Sequence, residues 1–343
     1  MVEIDGSHGE GGGQLVRNAV ALAAVGGVPV RIVRVRARRP RPGLAAQHAA
    51  AVRAVAALCD ARCDGVQPGS TELSFEPRKL HGGVFEIDVG TAGSVALVVQ
   101  ALLPAAVACG ERTVAAIRGG TDVRAAPPVD YLKLVLLPLL SRMGVRAELE
   151  VDRRGYYPKG GGAVRLTVEP VARLAPLALY ARGPVERVEV RAHVSRLPRS
   201  IAERMAAAAR AMLPPGVESE TAIEVYGPAD SAGPGGALVL RASAGATLLG
   251  AAAVAERGVP AERLGHDAAR MLRADLDAGA TLDLHATDQM LPFLALATAP
   301  SSFRAAQLSS HAATGIWLLE RLTRARFRVE SGAPGVTVHV QPS

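Results

Sequence analysis

The sequence predicts a layered α/β fold in which a unit of strand, helix, strand, helix and strand occurs three times, with a smaller α/β module inserted before the third copy. Three observations lead to this prediction. Short apolar strands alternate with helical segments along the chain. Polar or glycine-rich loops follow the first strand of each unit. Hydrophobic residues make up 49% of the chain but aromatic residues only 3%, so small aliphatic side chains must fill the core.

The first two copies occupy the N-terminal half of the chain. The predicted elements of the first copy are strand 2–5, a helix from about residue 14, strand 30–35, a helix at about 44–59 and strand 71–75. Those of the second copy are strand 84–89, a helix ending near residue 109, strand 113–117, helix 128–143 and a hairpin of strands 146–151 and 163–168. If the units pack about a common axis, the loops after their first strands face one cleft.

The third copy is expected to start only at a strand formed by residues 281–284. Its other predicted elements are a helix ending at residue 296, strand 303–308, a helix at about 312–322 and a hairpin at 327–340. The preceding module contains strand 188–193, helix 198–212, strands near 221–225 and 238–242, and helix 261–277. We therefore predict a main domain of residues 1–182 and 280–343, and an inserted domain of residues 183–279.

Charge and cysteine content restrict the function without fixing it. The formal net charge of +7 permits an anionic partner such as nucleic acid. Three cysteines argue against a disulfide framework. The first residues lack the features of a signal peptide, and the longest apolar stretch, 95–109, is too short to span a bilayer. We expect a cytoplasmic protein without membrane contact, and the sequence indicates no obligate protein partner.

A glycine-rich loop, Gly9 to Gln14, leads from the first strand into the first helix, where backbone N–H groups and the helix dipole can hold an anion. It does not fit a dinucleotide fingerprint, because Gln14 stands at the last glycine position. No Gly-Lys pair occurs, which excludes the phosphate loop of the common NTPases. A tight turn without a ligand is the alternative. Glu10 favours a ligand, since a carboxylate beside phosphates normally requires Mg²⁺ between them.

Arginines are concentrated on the first helix and after the second strand, and the pair Gln47-His48 follows them. The run contains Arg17, Arg34, Arg36, Arg38, Arg39 and Arg41. Such a run is usually a solvated surface, and the alternative is contact with the phosphates of a nucleic acid. Aromatic residues are too few for extended base stacking, so recognition of a nucleic-acid terminus is favoured over binding along a strand.

His311 stands between a predicted strand and the next helix. A histidine in this position is more often a cap or a surface residue. It can also be a nucleophile, because a neutral imidazole nitrogen attacks phosphorus without prior deprotonation and forms a high-energy P–N bond.

Taken together, the motifs resemble those of the RNA 3′-terminal phosphate cyclase family, and the resemblance runs along most of the chain. The resembling residues are Asp5-Gly6, Gly9 to Gln14, Arg36, Pro42-Gly43-Leu44, Gln47-His48, Gly90-Thr91-Ala92-Gly93-Ser94, Gln100, Gly119-Gly120-Thr121-Asp122, Ala126-Pro127-Pro128, Tyr157-Pro158, Gly160-Gly161-Gly162, Asp288-Gln289 and His311. One departure is Gly315, where the family often has asparagine.

The resemblance implies three repeats like the C-terminal domain of a translation initiation factor, with a small inserted domain. It implies ATP-dependent conversion of an RNA 3′-phosphate to a 2′,3′-cyclic phosphate, with His311 as the residue that carries AMP and Mg²⁺ or Mn²⁺ bound by Glu10. The phosphate site would be lined by Arg17, Arg36, Gln47 and His48. The nucleotide would be held by Gln100, Ala126, Pro127, Tyr131, His285, Ala286, Thr287, Asp288 and Gln289.

Two other functions remain as alternatives. A non-catalytic relative serves as a ribosome-assembly factor, and it typically lacks the nucleophilic histidine and the metal-binding glutamate that this chain has as His311 and Glu10. An enolpyruvyl transferase is built from similar repeats but requires six, whereas we count three. A lysine-dependent nucleotidyl transferase is disfavoured, because none of the three lysines lies in a Lys-x-Asp-Gly setting.

Overall fold

The computed structural model describes residues 1–343, and its mixed α/β fold contains four sheets. The strands are β1 (Val2–Asp5), β2 (Val30–Val33), β3 (Arg62–Asp64), β4 (Leu73–Glu76), β5 (Gly83–Asp88), β6 (Thr113–Gly119), β7 (Ala147–Arg153), β8 (Gly162–Val168), β9 (Arg187–Ser195), β10 (Glu218–Tyr226), β11 (Gly235–Ala244), β12 (Thr247–Val254), β13 (Ser301–Ala305), β14 (Arg326–Ser331) and β15 (Val336–Gln341). The helices are α1 (Gly13–Gly26), α2 (Ala46–Ala57), α3 (Val95–Ala108), α4 (Val129–Tyr131), α5 (Leu137–Ser141), α6 (Arg199–Arg210), α7 (Ala261–Asp277), α8 (Leu284–Ala295) and α9 (Ser310–Leu322).

The first two sheets share one topology. The strand order is β1-β2-β4-β3 in the first and β5-β6-β8-β7 in the second. In each sheet the first two strands are parallel and the remaining pairs are antiparallel. Parallel strands require a crossover, which α1 and α3 supply. The short strand β3 is the one element of these sheets that the sequence pattern did not predict.

The third sheet corrects the predicted start of the third unit. Residues 281–284 do not form a strand, because the side chain of Asp283 accepts hydrogen bonds from the N–H groups of His285 and Ala286 and so caps α8. The place of the first strand is taken by residues 177–179. They run parallel to β13 and exchange backbone hydrogen bonds with Ser302. The strands β9 to β12 and the helices α6 and α7 therefore lie in sequence between this bridged segment and α8.

The inserted module has a sheet of order β10-β9-β11-β12. Helices α6 and α7 pack on it around a core cluster of 21 buried residues, whereas 71 buried residues form the main core. Strand β12 was not predicted, because its alanines and glycine have low strand propensity. It faces the main domain, where the N–H of Gly250 donates to Asp283 at 2.8 Å.

The helix predicted at 128–143 is divided in the structure. Residues Leu132–Leu136 form a π-helical segment between α4 and α5. Pro138 lacks the N–H that an α-helix requires at that position, which favours a change in the hydrogen-bond pattern nearby. No helix in the structure combines the length and the apolar character needed to cross a membrane. Helices α1, α3, α8 and α9 contact one another and bring the predicted site residues together.

Candidate active site

His311 is the second residue of α9, and its side chain is 47% exposed. The preceding cap is Ser309, whose hydroxyl accepts a hydrogen bond from the N–H of Ala312 at 3.0 Å. This cap fixes the start of the helix and therefore the direction of the imidazole. The ring is reachable from solvent, as a nucleophile that meets a bound substrate must be.

The imidazole of His311 is oriented by a chain of two further side chains. Its Nδ1 lies 2.7 Å from Oε1 of Gln14, and Nε2 of Gln14 donates to Asp288 at 2.8 Å. Asp288 accepts from the amide nitrogen, so the amide oxygen of Gln14 faces the ring and accepts from Nδ1–H. This assignment leaves Nε2 of His311 with a free lone pair.

The surroundings keep this histidine neutral. Burial lowers the pKa of His311, and the charges of Arg17 and Arg39 and the nearby His285 lower it further. Burial also raises the pKa of Asp288 to about 7, although the charge of Arg17 opposes that shift. At neutral pH the imidazole therefore keeps the free lone pair that attack on phosphorus requires.

Glu10 lies beside His311, and one of its carboxylate oxygens has no partner. Oε1 contacts the guanidinium of Arg39, whereas Oε2 is buried without a hydrogen bond and lies 3.8 Å from Nδ1 of His311. A buried carboxylate oxygen without a donor is costly unless a cation or water satisfies it. The orphaned oxygen therefore fits the divalent metal that was predicted at Glu10.

Two contacts hold the glycine-rich loop against α9. The N–H of Glu10 donates to the hydroxyl of Thr314 at 3.0 Å, and the ring of His8 stacks on Trp317 with centroids 3.8 Å apart. Because α9 also carries His311, these contacts fix the distance between the loop and the imidazole.

The residues predicted to bind phosphate gather next to the first turn of α1. His48 is buried, and burial together with the charges of Arg17 and Arg36 lowers its pKa to about 3. Its Nδ1 accepts from the N–H of Ala45, so this neutral ring carries its proton on Nε2. The amide oxygen of Gln47 is already engaged within the protein, because it accepts a hydrogen bond from the N–H of Ser94 at 3.1 Å.

Gly13 is required by the close approach of His48. A Cβ at this position would overlap the imidazole of His48, whereas a Cβ at Gly26 on the same helix would make an ordinary contact of 3.5 Å with Val28. We expect Gly13→Ala to displace His48 and to weaken the binding of inorganic phosphate by about tenfold, because a hydrogen-bond donor of the predicted phosphate site is lost. Gly26→Ala is the matched control. Equal phosphate affinity in both variants would show that the position of His48 does not matter.

Part of the predicted nucleotide set lines a narrow cleft between α1, α3 and α8. Gln100, Asp288 and Gln289 line it together with Gln14 and Phe293. Nε2 of Gln100 and Oε1 of Gln289 are buried there without hydrogen-bond partners. An unpaired amide donor and an unpaired amide acceptor suit the edge of a nucleobase.

The other residues of the predicted nucleotide set lie outside this cleft. Tyr131 is fully buried, and its hydroxyl donates to Asp283 at 2.6 Å. Ala286 and Thr287 are also fully buried, in the first turn of α8. His285 packs edge-on against Tyr131, with ring centroids 5.9 Å apart. Ala126 and Pro127 are half-buried in the loop before α4.

The buried carboxyl group of Asp275 on α7 makes the free energy of unfolding depend on pH. Burial and the charge of Asp283 raise its pKa from 3.8 to about 7. Between these values the folded protein keeps a proton that the unfolded chain loses, so stability falls as the pH rises through this window. We expect Asp275→Asn to increase the free energy of unfolding at pH 8 by on the order of 2 kcal/mol and to leave it unchanged at pH 4. Urea denaturation at both pH values measures this, and an equal effect at both would contradict it.

A buried ionic cluster joins the inserted module to the loop that carries Ala126 and Pro127. Both oxygens of Asp130 lie 2.9 Å from the guanidinium of Arg154, and an oxygen of Asp122 lies 3.5 Å from it. His193 of β9 approaches the same carboxylates at 3.3 and 3.7 Å. Burial opposes protonation of this histidine, but Asp122 and Asp130 outweigh it and raise its pKa. Ligand atoms of the three residues lie within 4.8 Å of one another, but Arg154 already supplies the balancing cation.

The structure brings in residues to which the sequence had assigned no role. They are Gln14, which orients His311; Thr314, which holds Glu10; and Asp283, which caps α8. Arg39, which the sequence placed in the arginine run, contacts Glu10. A signal for Asp283 was present, since an aspartate just before a helical segment is a typical cap. Gly315, where the family often has asparagine, packs against α8. A Cβ at this position would lie only 3.3 Å from Cδ1 of Leu291, so a residue without a side chain fits here.

Comparison with known proteins gives one consistent family. A family model described as RNA 3′-terminal phosphate cyclase matches residues 8–329. The RNA 3′-terminal phosphate cyclase of Nitrosospira multiformis is 53% identical over 342 residues, covering 100% of this chain and 97% of that protein. The protein of the same name from Methanopyrus kandleri is 47% identical over 349 residues, covering 100% and 99%. A solved enolpyruvyl transferase from Streptomyces tendae aligns with a TM-score of only 0.28 and 14% identity, over 100% of this chain and 65% of that one, which supports no argument.

Proposed function

The chain belongs to the RNA 3′-terminal phosphate cyclase family, and from this premise we propose that it converts an RNA 3′-terminal phosphate to a 2′,3′-cyclic phosphodiester at the expense of ATP. The reaction proceeds through a covalent histidine-AMP intermediate at His311 and an RNA-phosphate-AMP intermediate. Its products besides the cyclic end are AMP and pyrophosphate.

One observation carries this proposal. Nδ1 of His311 is engaged by Gln14, so Nε2 is the free nitrogen, and its lone pair is available because the pKa of the ring is lowered. Asp288 supports the arrangement by fixing the amide of Gln14. A nitrogen nucleophile needs these two properties, a fixed direction and an unprotonated state.

The proposed chemistry has three displacements at phosphorus. First, Nε2 of His311 attacks the α-phosphorus of ATP, a P–N bond forms, and pyrophosphate leaves. Second, an oxygen of the RNA 3′-phosphate attacks the same phosphorus and releases the histidine, which gives the RNA end an AMP leaving group. Third, the adjacent 2′-hydroxyl loses its proton, attacks the 3′-phosphorus and expels AMP. The fixed proximity of the 2′-hydroxyl to the phosphate favours ring closure.

The residues around His311 are proposed to hold the reactants. Glu10 would bind Mg²⁺ or Mn²⁺ through its orphaned Oε2, and the metal would supply positive charge to the phosphate oxygens. Arg17, Arg36, Gln47 and His48 would hold the RNA terminal phosphate. The neutral His48 fits this role as a hydrogen-bond donor from Nε2, while the two guanidinium groups supply charge.

The cleft between α1, α3 and α8 has a volume of about 20 Å³, which is room for about one water molecule, so ATP is proposed to bind there only after the cleft widens. Gln100, Asp288 and Gln289 would contact it directly, since they line the cleft. Tyr131, Ala286 and Thr287 are buried, so their part in nucleotide binding would be to shape the wall of the site. Ala126, Pro127 and His285 complete the proposed set, although none of them lines the cleft in this structure.

The predicted domain division is part of the same proposal. We assign the catalytic domain to residues 1–182 and 280–343 and the inserted domain to residues 183–279, which is supported by the two separate core clusters. We also propose that the three units resemble the C-terminal domain of a translation initiation factor, and that the protein acts in the cytoplasm.

The test is conversion of defined RNA ends. An RNA with a 3′-phosphate is incubated with protein, ATP and Mg²⁺ or Mn²⁺, and the product is treated with phosphatase. A terminal phosphate that becomes phosphatase-resistant only with ATP is the expected result. A matched RNA whose last nucleotide lacks the 2′-hydroxyl should instead accumulate the RNA-phosphate-AMP intermediate. Folded protein that binds RNA but leaves both ends unchanged would favour the non-catalytic assembly role.

A further inference from the structure

The third sheet has an open face away from the active site. Across three adjacent strands, Ser302 of β13, His339 of β15 and Arg328 of β14 are paired in register and therefore lie in one row. Gln341 and Arg326 form the neighbouring row. Side chains two residues apart along a strand share a face, so these polar and cationic groups point to the same side.

This face contains a cavity of about 330 Å³, and none of the candidate active-site residues lines it. Its lining includes Tyr180, which follows the edge strand formed by residues 177–179, together with the rows just described. The volume lies within the range of small-molecule sites. The cavity is at the beginning of β13, whereas His311 follows the end of that strand, so the two sites are separate.

A buried hydroxyl in the cavity wall lacks a partner. Ser302 is 3% exposed, and its Oγ forms no hydrogen bond. Buried hydroxyl groups are almost always hydrogen-bonded, and one left open in a cavity wall is available to a ligand. This observation is independent of the charges around it.

The charges of the face favour an anion. Arg328 is 71% exposed, and Glu330 lies 3.0 Å from its guanidinium and 3.2 Å from the ring of His339. The single carboxylate holds both groups in place. With Arg326, which is also exposed, the cations still outnumber it. Guanidinium groups in such a position suit phosphate oxygens.

The exposed aromatic ring identifies the ligand more closely. Tyr180 is 67% exposed in a chain with few aromatic residues. An aromatic ring next to arginines on an open sheet face is the arrangement on which proteins stack the bases of single-stranded nucleic acid. One ring serves one base, so the site fits a single nucleotide unit.

We propose that this cavity binds one nucleotide of single-stranded RNA upstream of the 3′ end, with its base on Tyr180 and its phosphate on Arg328 and His339. The RNA that it would bind is the substrate of the proposed function, and the inference rests on that function for this identity. A second contact of this kind would raise the affinity for long RNA ends without taking part in the chemistry.

The test measures RNA binding without the reaction. Fluorescence anisotropy gives the Kd of a labelled single-stranded dodecamer with a 3′-hydroxyl, in the absence of ATP, for wild type and for the double variant Tyr180→Ala, Arg328→Gln. We expect the double variant to bind the dodecamer about tenfold more weakly and to bind a 3′-phosphorylated dinucleotide equally well. The conservative double variant Tyr180→Phe, Arg328→Lys should stay near wild type.

Controls separate this inference from general effects. Arg263→Gln on α7 removes an equally exposed arginine, with 73% of its side chain accessible, and should leave the Kd unchanged. An unchanged Kd for the dodecamer in the Tyr180→Ala, Arg328→Gln variant would overturn the proposal, as would equal weakening for the dinucleotide. If equilibrium dialysis shows that this variant loses only AMP binding, the cavity takes a free nucleotide and the RNA assignment is wrong. Because no ATP is present, failure of the cyclase activity does not affect these outcomes.

Discussion

Replacement of His311 with alanine is expected to abolish labelling of the protein by ATP that carries ³²P in its α-phosphate. The side chain of His311 supplies the nitrogen that forms the bond to AMP in the proposed reaction, and no substitute nucleophile is oriented by the Gln14 and Asp288 chain. Wild type should carry a label that is stable to alkali and labile to acid, as expected for a P–N bond. The measurement is denaturing electrophoresis after incubation with Mg²⁺ or Mn²⁺.

Two further variants make this experiment specific. His266→Ala removes an exposed histidine of α7 and should leave the labelling unchanged. Gln14→Ala keeps the nucleophile but removes its orientation, so labelling should be slower by about a hundredfold and not absent. Label on the His311→Ala protein would sink the assignment of the nucleophile, and full labelling of Gln14→Ala would show that the amide does not position the ring.

The largest loss of stability is expected from Arg154→Met. Arg154 is 5% exposed and is the cation that balances Asp122 and Asp130. It also donates to the hydroxyl of Tyr226 at 3.2 Å, which ties the cluster to the inserted module. Methionine fills a similar volume but leaves the carboxylates of Asp122 and Asp130 with only His193 as a possible cation, although the hydroxyl of Thr121 still donates to Asp122. Removing one member of a buried ion pair costs about 3–5 kcal/mol.

Denaturant unfolding at neutral pH measures this loss, and an exposed pair provides the comparison. Arg112 lies 3.0 Å from Glu169, with side chains that are 60% and 40% exposed. Arg112→Met should therefore change the free energy of unfolding by less than about 1 kcal/mol. Similar losses in the two variants would mean that the buried cluster contributes no more than a surface ion pair.

The family and the mixed α/β fold were predictable from the sequence, and both predictions are confirmed. Motifs that lie within one loop, such as Gly9 to Gln14, are local in sequence and can be recognised there. The start of the third unit was predicted wrongly, because Thr281-Leu282-Asp283-Leu284 alternates like a strand while its aspartate acts as a helix cap. The segment that pairs with the start of β13 forms only an isolated bridge at Ala178, and it is too far from β13 in sequence to be paired with it by pattern.

The details of the site depend on contacts that no local pattern contains. Gln14 and His311 are separated by 297 positions, and the neutral state of His48 depends on burial and on the charges of Arg17 and Arg36. The assignments of Gln100 and Gln289 remain predictions. They are supported by unpaired amide atoms that only a packed structure reveals.

The place of the inserted module in the sequence also separates the synthesis of two segments that pair in the folded protein. The edge strand at residues 177–179 emerges more than a hundred residues before β13, its partner, because the whole module lies between them. The first two units can fold before residues 177–179 have β13 as a partner, since domains generally fold as units from the N-terminus during synthesis. Helix α9 is the last helix to be made, so a nascent chain has the glycine-rich loop and the arginines long before it has His311. In the proposed reaction, an incomplete chain therefore lacks its nucleophile even after the glycine-rich loop and the arginines have been made.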